Sequence, residues 1–190
     1  MTSSLAAAPG LIPRFLPRGG DQIIWRLRDR IPLGTESVML SQSKRRATLL
    51  VSAESPQLDG ITIFSREGTR YIVHSDGSPV RSLPSQITFR ITASDLLQLN
   101  EEPTSIDANA DIQAFLGDLT FVAKVFRGLD EVRFEPVSVR QVGLPLSVPA
   151  DERIYRAAFD FGKLDVNDHV VLLVNTSDGT PIAKFFLQLD

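Results

Sequence analysis

Short runs that alternate apolar and polar residues, each closed by a turn signal, recur along most of this chain and limit its fold more than any other feature. "DQIIWRLR" (21–28) sets Ile23, Trp25 and Leu27 on one face and Arg26 and Arg28 on the other. "ESVMLS" (36–41) and "RATLLVSA" (46–53) follow. "GITIFS" (60–65) and "TRYIVHS" (69–75) flank "REG", a short hairpin signal. "SQITFRITA" (85–93) places Ile87, Phe89 and Ile91 on one face. "LTFVAKVF" (119–126) does the same with Leu119, Phe121, Ala123 and Val125. In "EVRFEPVSVR" (131–140), Pro136 shifts the phase, as a bulge or an edge strand would. "RIYRAAFDFG" (153–162), "HVVLLVNT" (169–176) and "PIAKFFLQL" (181–189) complete the set.

These runs, with no βαβ alternation among them, predict an all-β fold: an antiparallel β-sandwich, jelly-roll-like in one version. The middle of the chain breaks the pattern. "SDLLQL" (94–99) and "DANADIQAFLG" (107–117) read as two short helices in a central crossover, the first with Thr92 and Asp95 at capping-box spacing. Residues 1–20, rich in Pro and Arg, read as a flexible arm, and 21–190 as one domain. The alternative is a split into 21–93 and 118–190, but units of roughly 75 residues are marginal alone.

"HSDGSP" (74–79) and "TSDGTP" (176–181) each follow a β run. Gly adopts positive φ at little cost, Asp bonds the local backbone, and Pro fixes φ where the chain leaves the turn. Every residue of the motif has a structural reason, so the repeat predicts two turns rather than a duplicated domain.

Several chemistries lack their residues. The chain has no Cys, which removes disulfides, thiolate catalysis and Cys-ligated metals. There is no GxSxG, GxxxxGK[ST] or GxGxxG motif. His74 and His169 are the only histidines, each with an acid close in sequence, Asp76 and Asp168. They keep a hydrolase or lyase on a β scaffold as one alternative.

Calcium is another. Asp107, Asn109 and Asp111 hold the first three odd positions of an EF-hand-type loop, but Ile112 stands where the sharp turn needs Gly. "LDVNDH" (164–169) resembles the Asp-x-Asn-Asp linker of cadherins through Asp165, Asn167 and Asp168 alone. That resemblance implies a calcium-binding stretch, and a calcium-dependent adhesion or carbohydrate-binding module is kept as an alternative function. One Trp and two Tyr supply few stacking platforms for sugars. No cofactor other than calcium is expected.

The charge is uneven. Residues 1–95 carry 12 Lys/Arg and 8 Asp/Glu, against 8 and 15 in 96–190. Arg26, Arg28, Arg30, Lys44, Arg45 and Arg46 form a basic patch suited to nucleic acid or another polyanion. In the arm, Leu11, Ile12, Phe15 and Leu16 are apolar residues suited to a neighbouring subunit. No run is long and apolar enough for a membrane helix, and the opening lacks the basic start of a secretory signal, so a cytoplasmic protein without a membrane partner is expected. The function these features favour is a non-catalytic binding or assembly protein that forms homo-oligomers. An anion- or nucleic-acid-binding structural protein is the further alternative.

Overall fold

The computed structural model describes residues 14–39, 46–95, 117–142 and 152–189. Within them the chain runs through β1 (Gln22–Arg26), β2 (Arg30–Met39), β3 (Arg46–Glu54), a 3-10 turn (Pro56–Leu58), β4 (Thr62–Arg66), β5 (Thr69–Val73), β6 (Ser82–Leu83) and β7 (Gln86–Asp95). It continues through β8 (Thr120–Arg127), β9 (Asp130–Phe134), β10 (Ser138–Val142), β11 (Glu152–Asp160), β12 (Leu164–Asp165), β13 (His169–Asn175) and β14 (Pro181–Leu187). All pairings between these strands are antiparallel, and the protein is all-β.

The strands form four sheets. Five strands run in the order β10-β11-β7-β3-β2 and four in the order β14-β13-β8-β9. Three run β1-β4-β5, and β12 pairs with β6. Strands from both sides of residue 100 share the five-stranded sheet, because β11 pairs with β7 over nine residues, from Glu152↔Ser94 to Asp160↔Gln86.

Period-2 patterning explains the core. On β3, Ala47, Leu49, Val51 and Ala53 are fully buried while Leu50 and Glu54 point to the opposite face. On β7, Ile87, Phe89, Ile91 and Ala93 are buried, and on β8 so are Phe121, Ala123 and Val125. These residues join one buried cluster with Tyr155, Ala157 and Phe159 of β11 and Val170, Leu172 and Val174 of β13. Aromatic contacts tie the two larger sheets together. Phe121 of β8 lies 5.4 Å from Tyr155 of β11. Phe134 of β9 meets Phe161 edge-on at 5.1 Å, and Phe161 stacks on Phe159 at 5.8 Å. Burying one such ring stabilises the fold by about 2–3 kcal/mol.

Four sequence expectations change. The two short helices are not borne out. Ser94 and Asp95 extend β7, pairing with Thr48 and Ala47 of β3, so ladder hydrogen bonds override the capping-box spacing. Of the second helix, only Gly117 falls among the described residues. β1 does not bury Ile23 and Trp25. As the edge strand of its sheet β1 is exposed at all five residues, Trp25 at 43%, and burial begins only at Leu27, just past the strand. Pro136 does mark edge strands, one of its two readings, but in place of a bulge in one strand it separates two. β9 ends on the edge of the four-stranded sheet, and the Val137 N–H donates to the Ala158 carbonyl at 2.8 Å to open β10 on the edge of the five-stranded sheet. Finally, β2 begins at Arg30, well before "ESVMLS", with an irregularity between Pro32 and Gly34.

Both SDGxP segments are turns. In the first, the His74 N–H donates to the Ser78 carbonyl and the Gly77 N–H to the His74 carbonyl, each at 2.9 Å. In the second, the Thr176 N–H donates to the Thr180 carbonyl at 3.0 Å and the Gly179 N–H to the Thr176 carbonyl at 2.9 Å. Gly77 and Gly179 take φ of 81° and 84°, a region open to glycine at little cost.

Candidate anion-binding face

The face of the five-stranded sheet opposite the core is built from the residues that alternate with the buried ones. Its central row reads Arg140 on β10, Arg156 on β11, Arg90 on β7, Ser52 on β3 and Pro32 on β2, each directly opposite the next. Three guanidinium side chains therefore start from adjacent strands, ~4.8 Å apart. Like charges directly opposite one another destabilise a sheet by roughly 0.2–1 kcal/mol per pair.

The neighbouring row partly offsets this. Ala158, Thr88, Glu54 and Arg30 stand opposite one another there. The carboxylate of Glu54 lies between two arginines: Oε2 is 2.8 Å from Arg156 Nη2 and Oε1 is 3.1 Å from Arg30 Nη2. Arg156 leans across β7 to reach it. Glu54 is mostly buried, whereas each of the two arginines is half exposed. The carboxylate thus fixes where two guanidinium groups sit while leaving their outer edges open. Arg90 and Arg140 make no ion pair among the described residues. Four arginines against one glutamate leave a local excess of three positive charges.

A groove of about 220 Å³ opens on this face, lined by Arg30, Pro32, Leu50, Val51, Ser52, Arg90 and Thr92. Ser52 is short, so the surface dips between Arg90 and Pro32. Leu50 forms an apolar wall and is 50% exposed. The groove therefore combines guanidinium donors, two hydroxyls and an apolar wall.

Of the sequence-predicted basic patch, Arg30 and Arg46 lie on β2 and β3 of this sheet. Arg26 is on β1, paired opposite Thr62 in the three-stranded sheet, and Arg28 lies in the link to β2. Lys44 and Arg45 lie outside the described residues. Arg30 and Arg46 thus share this sheet with Arg90, Arg140 and Arg156, which pairing brings in from separate strands. Arg90, Arg140 and Arg156 were missed because each stands alone in its own run. The available signal was an arginine at the outward phase of three separate strands.

The arm residues divide in the same way. Leu11 and Ile12 lie outside the described residues. Phe15 and Leu16 sit on the chain's own first SDGxP turn. The Phe15 N–H donates to the Gly77 carbonyl at 2.6 Å, and its ring lies 5.2 Å from Tyr71, which stacks on Phe64 at 5.1 Å. Arg66 closes the arrangement. It donates to both oxygens of Asp21, at 3.0 and 2.7 Å, and to the Leu16 carbonyl at 3.0 Å, with its guanidinium over both rings. Hydrogen bonds from Arg66 and from the Arg18 N–H hold the Asp21 carboxyl down at about 2.

The remaining candidates are engaged locally. Asp76 accepts from the Ser78 N–H and hydroxyl, at 2.9 and 2.6 Å. Asp168 is buried, lies 3.1 Å from Arg127 Nε and accepts the Asp165 N–H at 2.9 Å. Asp165 accepts from the backbone and side-chain N–H groups of Asn167. His74 directly follows β5 at the first turn, and His169 opens β13 opposite Phe126. Asp107, Asn109 and Asp111 lie outside the described residues, and among those described no three His, Asp or Glu side chains converge as a metal site would require. No protein-family model, curated protein or solved structure matches this chain.

Proposed function

We propose that this chain is a non-catalytic binding protein, built as an antiparallel β-sandwich, whose arginine-bearing outer sheet face takes an anionic partner. The observation that carries the reading is the cross-strand row Arg140, Arg156 and Arg90. A free sheet gains nothing from three guanidinium groups side by side. An anion laid over them removes the repulsion and gains charge-assisted hydrogen bonds. The sandwich reading rests on the single buried cluster shared by the five- and four-stranded sheets and on the aromatic contacts between them.

The test is thermal unfolding of the wild type, Arg90→Ala and Arg140→Ala, each alone and with inorganic polyphosphate or heparin. A polyanion in hundredfold excess over its Kd should raise the Tm of the wild type by about 5–10 °C. Each variant should match or exceed the wild type when alone, since repulsion is relieved, and should respond less to the polyanion. A wild-type Tm that neither polyanion moves would overturn the proposal.

Self-association is a second reading, supported by β10. This strand lies on the edge of its sheet and carries exposed apolar residues, with Val139 45% and Val142 37% exposed. Such an edge is a template for pairing with another copy. Light scattering on a sizing column should then give a dimer or larger species that Val139→Lys converts to monomer. A monomeric wild type would end this reading.

A further inference from the structure

Resting on the reading of this face as an anion site, we infer that its partner is an acidic polysaccharide, a linear sugar polymer bearing carboxylate or sulfate groups, laid across the strands.

Three observations select this class among polyanions. First, the charges lie in a line. Arg140, Arg156 and Arg90 follow one another perpendicular to the strands, one per strand, at ~4.8 Å intervals. A linear polymer crossing the strands meets the guanidinium groups of Arg140 and Arg90, and beside them that of Arg156 where it leans across β7 to Glu54, and the planar fork of Arg matches the two oxygens of a carboxylate or sulfate.

Second, the surface beside the charges is not purely cationic. Continuing the row past Arg90, the polymer enters the groove, where Ser52 and Thr92 offer hydroxyls and Leu50 and Pro32 offer apolar walls. A sugar ring presents hydroxyls at its rim and C–H groups on its faces, and both kinds of neighbour are present. Polyphosphate has no apolar face and gains nothing from Leu50 or Pro32.

Third, the described residues of these five strands place no aromatic ring on this face. The rings of Phe89, Tyr155 and Phe159 are buried on the core side. Single-stranded nucleic acid is held largely by bases stacked on aromatic side chains, and none is offered here. The exposed Trp25 belongs to the three-stranded sheet.

The experiment is calorimetric titration at fixed ionic strength with four probes of matched charge: a short heparin oligosaccharide, a hyaluronate oligosaccharide, inorganic polyphosphate and an oligo-dT. Wild type, Arg90→Ala, Arg140→Ala and the double variant Ser52→Ala/Thr92→Val are compared. These side chains lie on the outer face, and cooperative unfolding of each arginine variant at or above the wild-type Tm, and of the double variant close to it, confirms an intact fold. One or both oligosaccharides should bind at least several-fold tighter than polyphosphate and oligo-dT. Each arginine substitution should weaken that binding by about tenfold. The double variant should weaken oligosaccharide binding and leave polyphosphate binding unchanged. If polyphosphate binds as tightly, with the same arginine dependence and no effect of the double variant, the polysaccharide class is wrong and the anion face stands. Tighter arginine-dependent binding of oligo-dT would likewise replace the polysaccharide with nucleic acid. If no probe binds, or binding ignores Arg90 and Arg140, both readings fall.

Discussion

The chain makes the same turn twice and uses the two copies differently. Ser75-Asp76-Gly77-Ser78-Pro79 and Ser177-Asp178-Gly179-Thr180-Pro181 share their backbone hydrogen bonds and a glycine of nearly equal positive φ. In both, the aspartate accepts the N–H two residues on, Ser78 at 2.9 Å and Thr180 at 3.0 Å. Yet the first turn carries the arm. A Cβ built on Gly77 would lie 3.0 Å from Leu16 Cγ and 3.3 Å from the Phe15 carbonyl carbon, whereas one on Gly179 would have nothing within 4 Å. Local residues specify the turn, and the surroundings decide whether it is only a turn. Tyr71, Phe64 and Arg66 hold the arm there, whereas beside the second copy Lys184 lies over the Phe186 ring of β14 and nothing comes within 4 Å of a Cβ on Gly179.

Substituting the two glycines should separate the copies most sharply. Gly179→Ala forces an L-residue to positive φ and nothing else, so about 1 kcal/mol of stability should be lost. Gly77→Ala carries the same backbone penalty and also collides with the arm, where Phe15 offers backbone that cannot simply rotate away. The loss should reach about 2 kcal/mol, read from denaturant midpoints. Equal losses would mean that the arm does not rest on the first turn.

A smaller effect is expected from Phe15→Ala. The ring contact with Tyr71 contributes on the order of 1 kcal/mol. Its loss should accelerate proteolytic cleavage before Asp21 while leaving the second turn's protection unchanged. Cleavage at the wild-type rate would remove Phe15 from the contacts that hold the arm.

The split between what was legible in the sequence and what was not follows the range of each interaction. Both turns were legible because Asp, Gly and Pro act within five residues. The buried faces of β3, β7 and β8 were legible because alternation is local. Register is not local. Arg90, Arg140 and Arg156 become neighbours only when β7, β11 and β10 pair in one particular alignment, so the sequence exposed their outward phase and not their row. Pro136 illustrates the same limit. Its effect on phase was visible, but a jump between sheets depends on which strand receives Val137. Ser94 and Asp95 read as the start of a helix because their partners on β3 lie more than forty residues away. Phe15 and Leu16 read as suited to a neighbouring subunit because the socket they meet in their own chain is formed by residues 64–77, far away in sequence.

Acid should distinguish the arm from the turns by the smallest margin. Asp76 and Asp178 are both held below the usual 3.8, Asp76 first by the Ser78 hydroxyl and Asp178 first by the Thr176 hydroxyl. A carboxyl whose folded value is depressed contributes stability that is present above its unfolded value and lost as pH falls through its folded one. Asp76→Asn and Asp178→Asn should therefore each make acid destabilisation slightly shallower, and to a similar extent. Asp21 reaches further, to about 2, because Arg66 and the Arg18 N–H both favour its charged form. Asp21→Asn should remove the part of the acid limb that extends from 3.8 down to about 2. It alone of the three should expose the arm to an acid protease throughout that range, where the wild type becomes vulnerable only towards its lower end. The checks are Tm against pH and the rate of pepsin cleavage before residue 21. If Asp21→Asn leaves both curves where the wild type has them, the Arg66–Asp21 pair does not hold the arm, and the contrast between the two turns rests on Gly77 and the Phe15–Tyr71 contact alone.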